Sequence, residues 1–418
     1  MTDSILTAEP AGASGSFDFP GDFLDDHVEM YKRFHLDPEL SAEEHRTAAV
    51  IEARLSELGI EHFRCGRTGV VGILRNGAAP VIAFRADTDG LPIAEQTGLP
   101  YASTATGTLP DGSEAPTMHG CGHDTHMTSA LGAAAYLAAH TEAWTGTVVF
   151  IFQPGEESAY GSRAMVADGL WDRAPRPEVV LAQHVWPAVA GSMVIRPGNM
   201  ASLGDSLRVI VRGRQAHGSM PEKSLDPIVA AASMVVRLQT IVSREISPML
   251  PAVVTVGTFH AGFKENIIPE TAEFSLNIRT PDQTTRDHVL ASVRRIISAE
   301  AMASGIPEPT IEPINSFPRL YNDPEQTARI TDALSAEFGA DSVSAAALGM
   351  GSEDAGWLSD AIGVPGVFWA FGGYAPGQFA EGDTVPVNHS PFFAPNAELA
   401  ISTGIRAALR AMLVYVGR

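Results

Sequence analysis

The sequence contains few cysteines and few basic residues. Of its 418 residues only two are cysteines, Cys65 and Cys121, and 28 Lys and Arg residues face 49 Asp and Glu residues, which gives a net charge of −21. So few cysteines argue against a disulfide-stapled secreted protein and favour a reduced, cytoplasmic one. A surface this acidic repels nucleic acids and anionic membranes, so we expect neither as a partner.

Several other signals are missing. No apolar run approaches the roughly 18 residues that a membrane span requires. Residues 1–26 hold six acidic residues and no Lys or Arg, unlike a signal or transit peptide, and we interpret residues 1–22 as a disordered acidic tail. The sequence has no Gly-x-Ser-x-Gly, Walker, Gly-x-Gly-x-x-Gly or His-Glu-x-x-His motif, which argues against the enzyme classes that use them.

Apolar strand-like runs alternate with helix-like segments over residues 23–202 and again over residues 313–418. This pattern predicts an α/β domain with a mostly parallel sheet and helices on both faces. Residues 203–312 follow the order strand–helix–strand–strand–helix–strand, which predicts an inserted α+β domain of the split βαβ type. We interpret the prolines between 307 and 318 as the return linker. The segment Ser41–Glu44 predicts a capping box at the start of a helix.

Metal-type ligands are concentrated in the segment Met118–His126, just before a predicted helix. Gly120 and Gly122 allow a tight turn through which Cys121 and His123 can converge on one point. A structural cysteine with polar helix caps is one alternative. A Cys121–His nucleophilic hydrolase is another, although a thiolate between metal-binding groups would be quenched as a nucleophile.

Further carboxylates and imidazoles follow predicted strands or precede the last helix. They are Glu156, Glu157, His184 and His389. Each alone is more often structural or solvent-facing, but ligands of open α/β sheets bind outside the carboxyl ends of the strands. Of two adjacent carboxylates, one can bind a metal while the other faces the attacking water as a general base.

The mixture of thiolate, imidazole and carboxylate suits Zn, Mn, Co or Ni. Because these ligands are too many for one open catalytic ion, we expect two divalent metal ions with Cys121 as a plausible bridge. Asp87 and Asp89 follow another strand and lie on the same side of an extended backbone. Since the ligand count is already full, we expect them to orient a ligating His rather than bind metal themselves.

Together these segments resemble a family of di-metal amidohydrolases that includes hippurate hydrolase, plant auxin-conjugate hydrolases and bacterial N-acyl-amino-acid aminoacylases. The likeness runs through nearly the whole chain in one order. Its segments are Phe34–Ser41, Glu44–Ala48, Arg85–Pro92, His119–His126, Gln153–Glu157, His184–Pro187, Gly213–His217, Asn266–Pro269, Gly351–Asp354 and Asn388–Pro391.

The resemblance implies a role for each site residue. Five residues would bind the two metals, namely Cys121, His123, Glu157, His184 and His389. Glu156 would be the base, and His217 would help to hold the substrate oxyanion. Asn266 and Arg279 match positions that contact the substrate, and Ser352 is assigned to substrate binding with them. The inserted domain would be a lid through which the chain forms a homodimer.

The implied activity is hydrolysis of an N-acyl amino acid to a carboxylic acid and a free amino acid. Two alternatives remain open, a dipeptidase or exopeptidase on the same scaffold and a non-catalytic protein that binds acyl amino acids. The complete set of ligands together with Glu156 favours an enzyme, because a decayed site usually lacks at least one of them.

Overall fold

The computed structural model describes residues 17, 19, 21–379 and 385–418, so the expected tail of residues 1–22 lies almost entirely outside the described residues. The helices are α1 (Gly21–Leu36), α2 (His45–Glu57), α3 (His123–Ala139), α4 (Gly161–Ala167), α5 (Leu170–Arg173), α6 (Pro227–Thr240), α7 (Gln283–Ser304), α8 (Pro324–Phe338), α9 (Gly356–Asp360) and α10 (Ala397–Val416). The strands are β1 (Glu61–Cys65), β2 (Gly69–Asn76), β3 (Val81–Asp87), β4 (Thr106–Thr108), β5 (Glu114–Pro116), β6 (Gly146–Gln153), β7 (Val180–Val189), β8 (Met193–Ile195), β9 (Gly198–Ala201), β10 (Leu203–Arg212), β11 (Ala216–His217), β12 (Val253–Ala261), β13 (Ile267–Ile268), β14 (Thr271–Thr280), β15 (Thr310–Phe317), β16 (Leu320–Asn322), β17 (Val343–Ala345) and β18 (Gly366–Tyr374).

The chain divides into two compact units. The second unit comprises Ala201–Leu320 and Leu348–Glu353, and the first comprises the remaining described residues. The second unit therefore extends beyond the expected boundary at residue 312 and includes a short return segment from later in the sequence.

Eight strands of the first unit form one sheet in the order β1-β2-β6-β3-β7-β18-β8-β17. The pairs β6–β3, β3–β7, β7–β18 and β8–β17 are parallel, whereas β1–β2, β2–β6 and β18–β8 are antiparallel. All eight residues of β6 are buried, as expected for a strand covered on both faces. The predicted α/β class with a largely parallel sheet is confirmed.

The side chains of β6 alternate between two hydrophobic clusters on opposite faces of the sheet. Phe150 and its neighbours on one face pack with residues of α1, α3 and α10. Val149 and Ile151 face the other cluster, which contains Met165 of α4 and Leu358 of α9. Helices therefore cover both faces of the sheet.

Helix α10 is the only helix in the described part of the chain that is long and apolar enough to cross a membrane. Of its apolar window, 67% is buried inside the protein. Ile401, Ile405 and Leu409 belong to the main hydrophobic core. Packing within the first unit therefore accounts for the apolar character of α10.

The second unit is an antiparallel sheet in the order β12-β14-β10-β15, packed against α6 and α7. The interpretation of residues 307–318 as a linker was wrong, because β15 occupies most of this segment and pairs with β10. Pro313 lies in β15 opposite Leu207. An edge strand tolerates proline because one side of its backbone needs no hydrogen-bonded neighbour.

Candidate metal centre

Most of the ligand-type side chains lie where neighbouring strands end. Asp87 is the last residue of β3, Glu156 and Glu157 follow β6, and His184 lies in β7. Because β6, β3 and β7 are parallel neighbours, the segments that follow them meet at one edge of the sheet.

A glycine turn brings Cys121 to the same edge. Gly122 precedes α3 with a φ of 84°, in the left-handed region. A Cβ atom on Gly122 would come within 2.4 Å of a side-chain methyl of Val185. The position therefore requires glycine on two grounds, and the turn sets Cys121 next to His123 at the start of α3.

The sulfur of Cys121 lies between two imidazoles. Its Sγ is 3.4 Å from Nε2 of His184 and 3.2 Å from Nε2 of His389. Nε2 of His389 is also 3.2 Å from Oε1 of Glu157, and that oxygen is 3.9 Å from Nε2 of His123. The structure thus brings together all five residues singled out as metal ligands.

His389 reaches the cluster through a strained turn. Its φ is 69°, in the left-handed region, and its N–H donates to the carbonyl oxygen of Gly120 at 2.7 Å. The side-chain amide of Asn388 donates to the carbonyl oxygens of Cys121 and Val185. These bonds tie the turn to the segments that carry the other ligands.

Two of the imidazoles are oriented by their Nδ1 atoms. Nδ1 of His184 donates to the carbonyl of Val185 at 2.7 Å, and Nδ1 of His123 donates to the carbonyl of Asp89 at 2.9 Å. Because a carbonyl can only accept, each neutral ring carries its proton on Nδ1 and its lone pair on Nε2. The lone pair of His184 therefore faces the sulfur of Cys121, and that of His123 faces the carboxylate of Glu157. Nε2 of His123 is buried without a hydrogen-bond partner, which fits coordination of a cation at this point.

The charges around the centre also fit a cation. Burial raises the pKa of the Cys121 thiol well above its ordinary value, and the carboxylates of Glu157 and Glu156 raise it further. Burial lowers the pKa of His123, but Asp87 and Asp89 outweigh it and raise the value to about 10. Since metals bind thiolate and neutral imidazole, ion binding would release these protons.

Asp89 supports the ligands rather than facing the centre. Its Oδ1 lies 3.2 Å from Nδ1 of His123, and its Oδ2 accepts from the hydroxyl of Ser41 at 2.6 Å and from the N–H of Glu157 at 3.1 Å. Asp89 thereby orients one imidazole and fixes the backbone of a neighbouring carboxylate.

The predicted capping box at Ser41–Glu44 does not form. Helix α2 begins at His45, and Glu44 at its N-cap makes no side-chain capping bond. The hydroxyl of Ser41 is bound to Asp89, and the carboxylate of Glu44 accepts from Thr68 and from the N–H of Gly155. Tertiary partners have therefore displaced the local cap.

Asp87 belongs to a buried chain of hydrogen bonds that reaches the backbone of β7. Its Oδ2 accepts from Nη1 of Arg85 at 2.8 Å, and its Oδ1 contacts Nδ1 of His126. Nε2 of His126 accepts from the N–H of Val185 at 2.7 Å. No role was predicted for His126, although its spacing of three from His123 on a helix places both on one face.

A separate ion site is suggested by four ligand-type side chains that lie close together, namely Asp87, His123, His126 and His184. Both nitrogens of His126 are occupied, however, because Nε2 accepts from a backbone N–H and Nδ1 faces Asp87. His126 therefore supports the centre without offering a lone pair to a metal.

In the second unit, His217 and Asn266 lie side by side. His217 pairs with Ile267 across β11 and β13, and the N–H of Gly218 donates to the carbonyl of Asn266. The N–H of Ser219 donates to Nδ1 of His217 at 3.1 Å. The neutral ring therefore carries its proton on Nε2, as a hydrogen-bond donor.

Arg279 and Ser352 form another pair in the second unit. Nη1 of Arg279 donates to the hydroxyl of Ser352, and its Nε donates to the side chain of Asn277 at 3.0 Å. The Ser352 hydroxyl also lies 3.2 Å from that of Ser202. The predicted substrate contacts therefore occur as two local pairs.

Comparisons with known proteins agree with this geometry. The model of peptidase family M20/M25/M40 matches residues 83–413. Hippurate hydrolase of Campylobacter jejuni is 39% identical over 277 residues, which cover 66% of this chain and 69% of that protein. N-acetyl-L-cysteine deacetylase of Bacillus subtilis is 34% identical over 309 residues, which cover 73% of this chain and 71% of that protein.

A solved structure gives the same result over a larger part of the fold. It is a dinuclear metal-binding peptidase of the M20 family from Bacillus subtilis, with a TM-score of 0.74, 28% identity and coverage of 94% of this chain and 99% of that one. This chain belongs to peptidase family M20/M25/M40.

Proposed function

We propose that this protein is a metal-dependent hydrolase that cleaves the amide bond of N-acyl amino acids, releasing a carboxylic acid and a free amino acid. One observation carries the proposal. The Cys121 sulfur lies within 3.4 Å of Nε2 of both His184 and His389, and such a cluster of soft and borderline ligands is typical of transition-metal sites. The similar hippurate hydrolase and N-acetyl-L-cysteine deacetylase are named for substrates of this class.

The residues that would hold two divalent ions, Zn, Mn, Co or Ni, are Cys121, His123, Glu157, His184 and His389. When bound, such ions supply Lewis acidity that polarises a carbonyl and makes water more acidic. The similar Bacillus subtilis structure is itself described as dinuclear. Cys121 is suited to a bridging position because it contacts imidazoles on two sides.

Glu156 is the proposed general base. It is adjacent to Glu157 in the sequence yet only 6% exposed, and its negative charge helps to raise the pKa of the Cys121 thiol, which supports a position near the proposed ligands. From there its carboxylate can accept a proton from the attacking water and later deliver it to the leaving nitrogen.

The second unit supplies the proposed substrate contacts. His217 can donate from Nε2 to the developing oxyanion, because its Nδ1 is already an acceptor; a good oxyanion donor contributes roughly 3–4 kcal/mol. The carboxylate of the amino acid can accept hydrogen bonds from three side chains, those of Arg279, Ser352 and Asn266. The guanidinium of Arg279 is well suited to this role, because it can bind a carboxylate through two parallel hydrogen bonds.

We further propose a cytoplasmic homodimer that associates through the second unit. Helix α6 exposes Val229 (61%) and Val236 (72%), which lie two turns apart on one face. Such an apolar stripe supports association. Cys65 and Cys121 are both free thiols, which supports a reducing compartment.

A substrate panel tests the activity. Purified protein is supplied with Mn, Co or Zn and offered N-acyl amino acids and dipeptides built on the same amino acids. The proposal requires faster hydrolysis of the acyl amino acids and loss of activity on chelation. Preference for dipeptides would indicate an exopeptidase, and binding without turnover would indicate a carrier.

A further inference from the structure

Arg279 has a polar neighbour on its own strand, because Asn277 lies two residues before it on the same face of β14. Leu276 and Ile278, which alternate with these two residues, point to the other face and belong to the hydrophobic cluster formed with α6 and α7. Arg279 and Asn277 therefore project from the sheet face opposite to these helices. Any contact of the Arg279 side chain with a substrate must be made on this face.

The side-chain amide of Asn277 is held between Arg279 and β10. Its Oδ1 accepts from Nε of Arg279 at 3.0 Å, and its Nδ2 donates to the hydroxyl of Ser206 at 3.2 Å. Ser206 is the residue opposite Asn277 in the pairing of the two strands. Because a guanidinium can only donate, the amide must present its oxygen to Arg279, and Ser206 anchors the other end of the amide.

A second contact reaches the guanidinium from the segment 348–353. Nη1 of Arg279 donates to the hydroxyl of Ser352. Gly204 lies opposite Arg279 in the pairing of β10 with β14. A Cβ atom at position 204 would come within 2.7 Å of Oγ of Ser352 and 3.1 Å of Nη1 of Arg279. The contact between these two side chains thus occupies the space that a side chain at position 204 would need.

The bonds to Asn277 and Ser352 restrict a side chain that is otherwise long and mobile. Ordering such a side chain only when the ligand arrives would cost free energy of binding. With Nε and Nη1 each bonded, the plane of the guanidinium is fixed by the protein itself. A carboxylate binds a guanidinium in that plane, through two parallel hydrogen bonds. An orientation that is already fixed should therefore raise the affinity for a carboxylate.

We propose that Asn277 and Gly204 are positioning residues for Arg279, and that they set how strongly the enzyme favours substrates with a free carboxylate. Asn277 acts by holding Nε, and Gly204 acts by leaving room for the contact between Arg279 and Ser352. This inference rests on the proposed hydrolase function, in which Arg279 binds the carboxylate of the amino acid. Neither Asn277 nor Gly204 needs to touch the substrate.

Benzoate release from N-benzoylglycine and from N-benzoylglycinamide measures this preference, because the amide lacks the carboxylate. The full chain is assayed with Co²⁺. Asn277→Leu and Gly204→Ala should each raise KM for N-benzoylglycine by roughly tenfold, the change that loss of one hydrogen bond to a charged group can produce. We expect kcat for this substrate, and kcat/KM for the amide, to stay near the wild-type values. Ser275→Ala is the matched control, because Ser275 lies on the same face of β14 and its hydroxyl bonds to that of Thr258.

A double-mutant cycle separates positioning from general damage to the fold. In an Arg279→Met background, Asn277→Leu should have little further effect on kcat/KM for N-benzoylglycine, since both changes act through one guanidinium. Additive effects, an equal loss on both substrates, or a wild-type KM in both single variants would overturn the positioning role while leaving the hydrolase intact. Failure of the wild type to cleave any N-acyl amino acid with Co²⁺, Mn²⁺ or Zn²⁺ would overturn the hydrolase proposal and this inference together.

Discussion

The backbone N–H of Val185 donates to Nε2 of His126 at 2.7 Å, and this bond determines the tautomer of the ring. A backbone N–H can only donate, so the proton of a neutral His126 is on Nδ1, facing Asp87. His126 therefore connects the buried Arg85–Asp87 pair to the residue that follows the proposed ligand His184. Its ring also packs against that of His184, with centroids 4.4 Å apart.

Replacing His126 should weaken metal binding although it is not a ligand. His126→Phe keeps an aromatic ring but removes the partner of the buried N–H of Val185 and of Oδ1 of Asp87. We expect roughly 10- to 100-fold lower affinity for Co²⁺, measured by titration calorimetry. His27→Phe is the control, because His27 is equally buried and belongs to α1. Wild-type affinity in the His126 variant would contradict the supporting role.

Glu156→Gln should separate chemistry from metal binding. The amide keeps the shape of the side chain but cannot accept the proton of the attacking water. We expect kcat to fall by at least about a hundredfold, while the metal content measured by elemental analysis stays at the wild-type level. Turnover at the wild-type rate would show that another group is the base.

Local patterns were sufficient to predict much of the candidate centre. The glycines on either side of Cys121 indicated a tight turn, and Gly122 indeed adopts a left-handed conformation. The rule that ligands gather at the carboxyl ends of parallel strands predicted that Glu157 and His184 lie together, and both belong to the cluster around Cys121 and His389. Both signals depend on short segments, which a single sequence displays directly.

Contacts between distant segments could not be predicted in the same way. Ser41 and Glu44 fit a capping box, but their side chains bind Asp89 and Thr68 instead. Nothing local distinguishes a serine that caps a helix from one that binds a buried carboxylate elsewhere in the fold. The bond between His126 and Val185 escaped prediction for the same reason, since it joins residues 59 positions apart.

Cys121→Ser should remove the proposed bridge between the two ions. A serine hydroxyl remains protonated near neutral pH and is a poor ligand for the borderline metals expected here. We expect fewer ions per chain and loss of the thiolate-to-cobalt absorption band of the Co²⁺ form. Cys65→Ser is the control, because Cys65 is also buried and its thiol donates to the carbonyl of Met165. Retention of the absorption band in the Cys121 variant would refute the ligand assignment.

A buried ion pair at the start of α3 makes a pH-dependent contribution to stability. His35 lies 2.7 Å from Asp124 and 3.0 Å from Glu95 and is 1% exposed. Burial lowers the pKa of His35, but the two carboxylates outweigh it and raise the value to about 9. The pKa in the folded state is thus above the ordinary value of 6.5, and the charged ring stabilises the folded protein.

His35→Gln removes the charged ring, so the free energy of unfolding that the variant loses should depend on pH. The stabilisation is fully present below about pH 6.5 and is lost as the pH rises through about 9. The free energy of unfolding, measured with urea and excess chelator, should therefore differ between wild type and variant by roughly 3 kcal/mol more near pH 6 than near pH 10. Comparing the two proteins at each pH cancels the titration of unrelated groups. A difference that stays constant, or that grows toward high pH, would mean that His35 is uncharged in the folded protein.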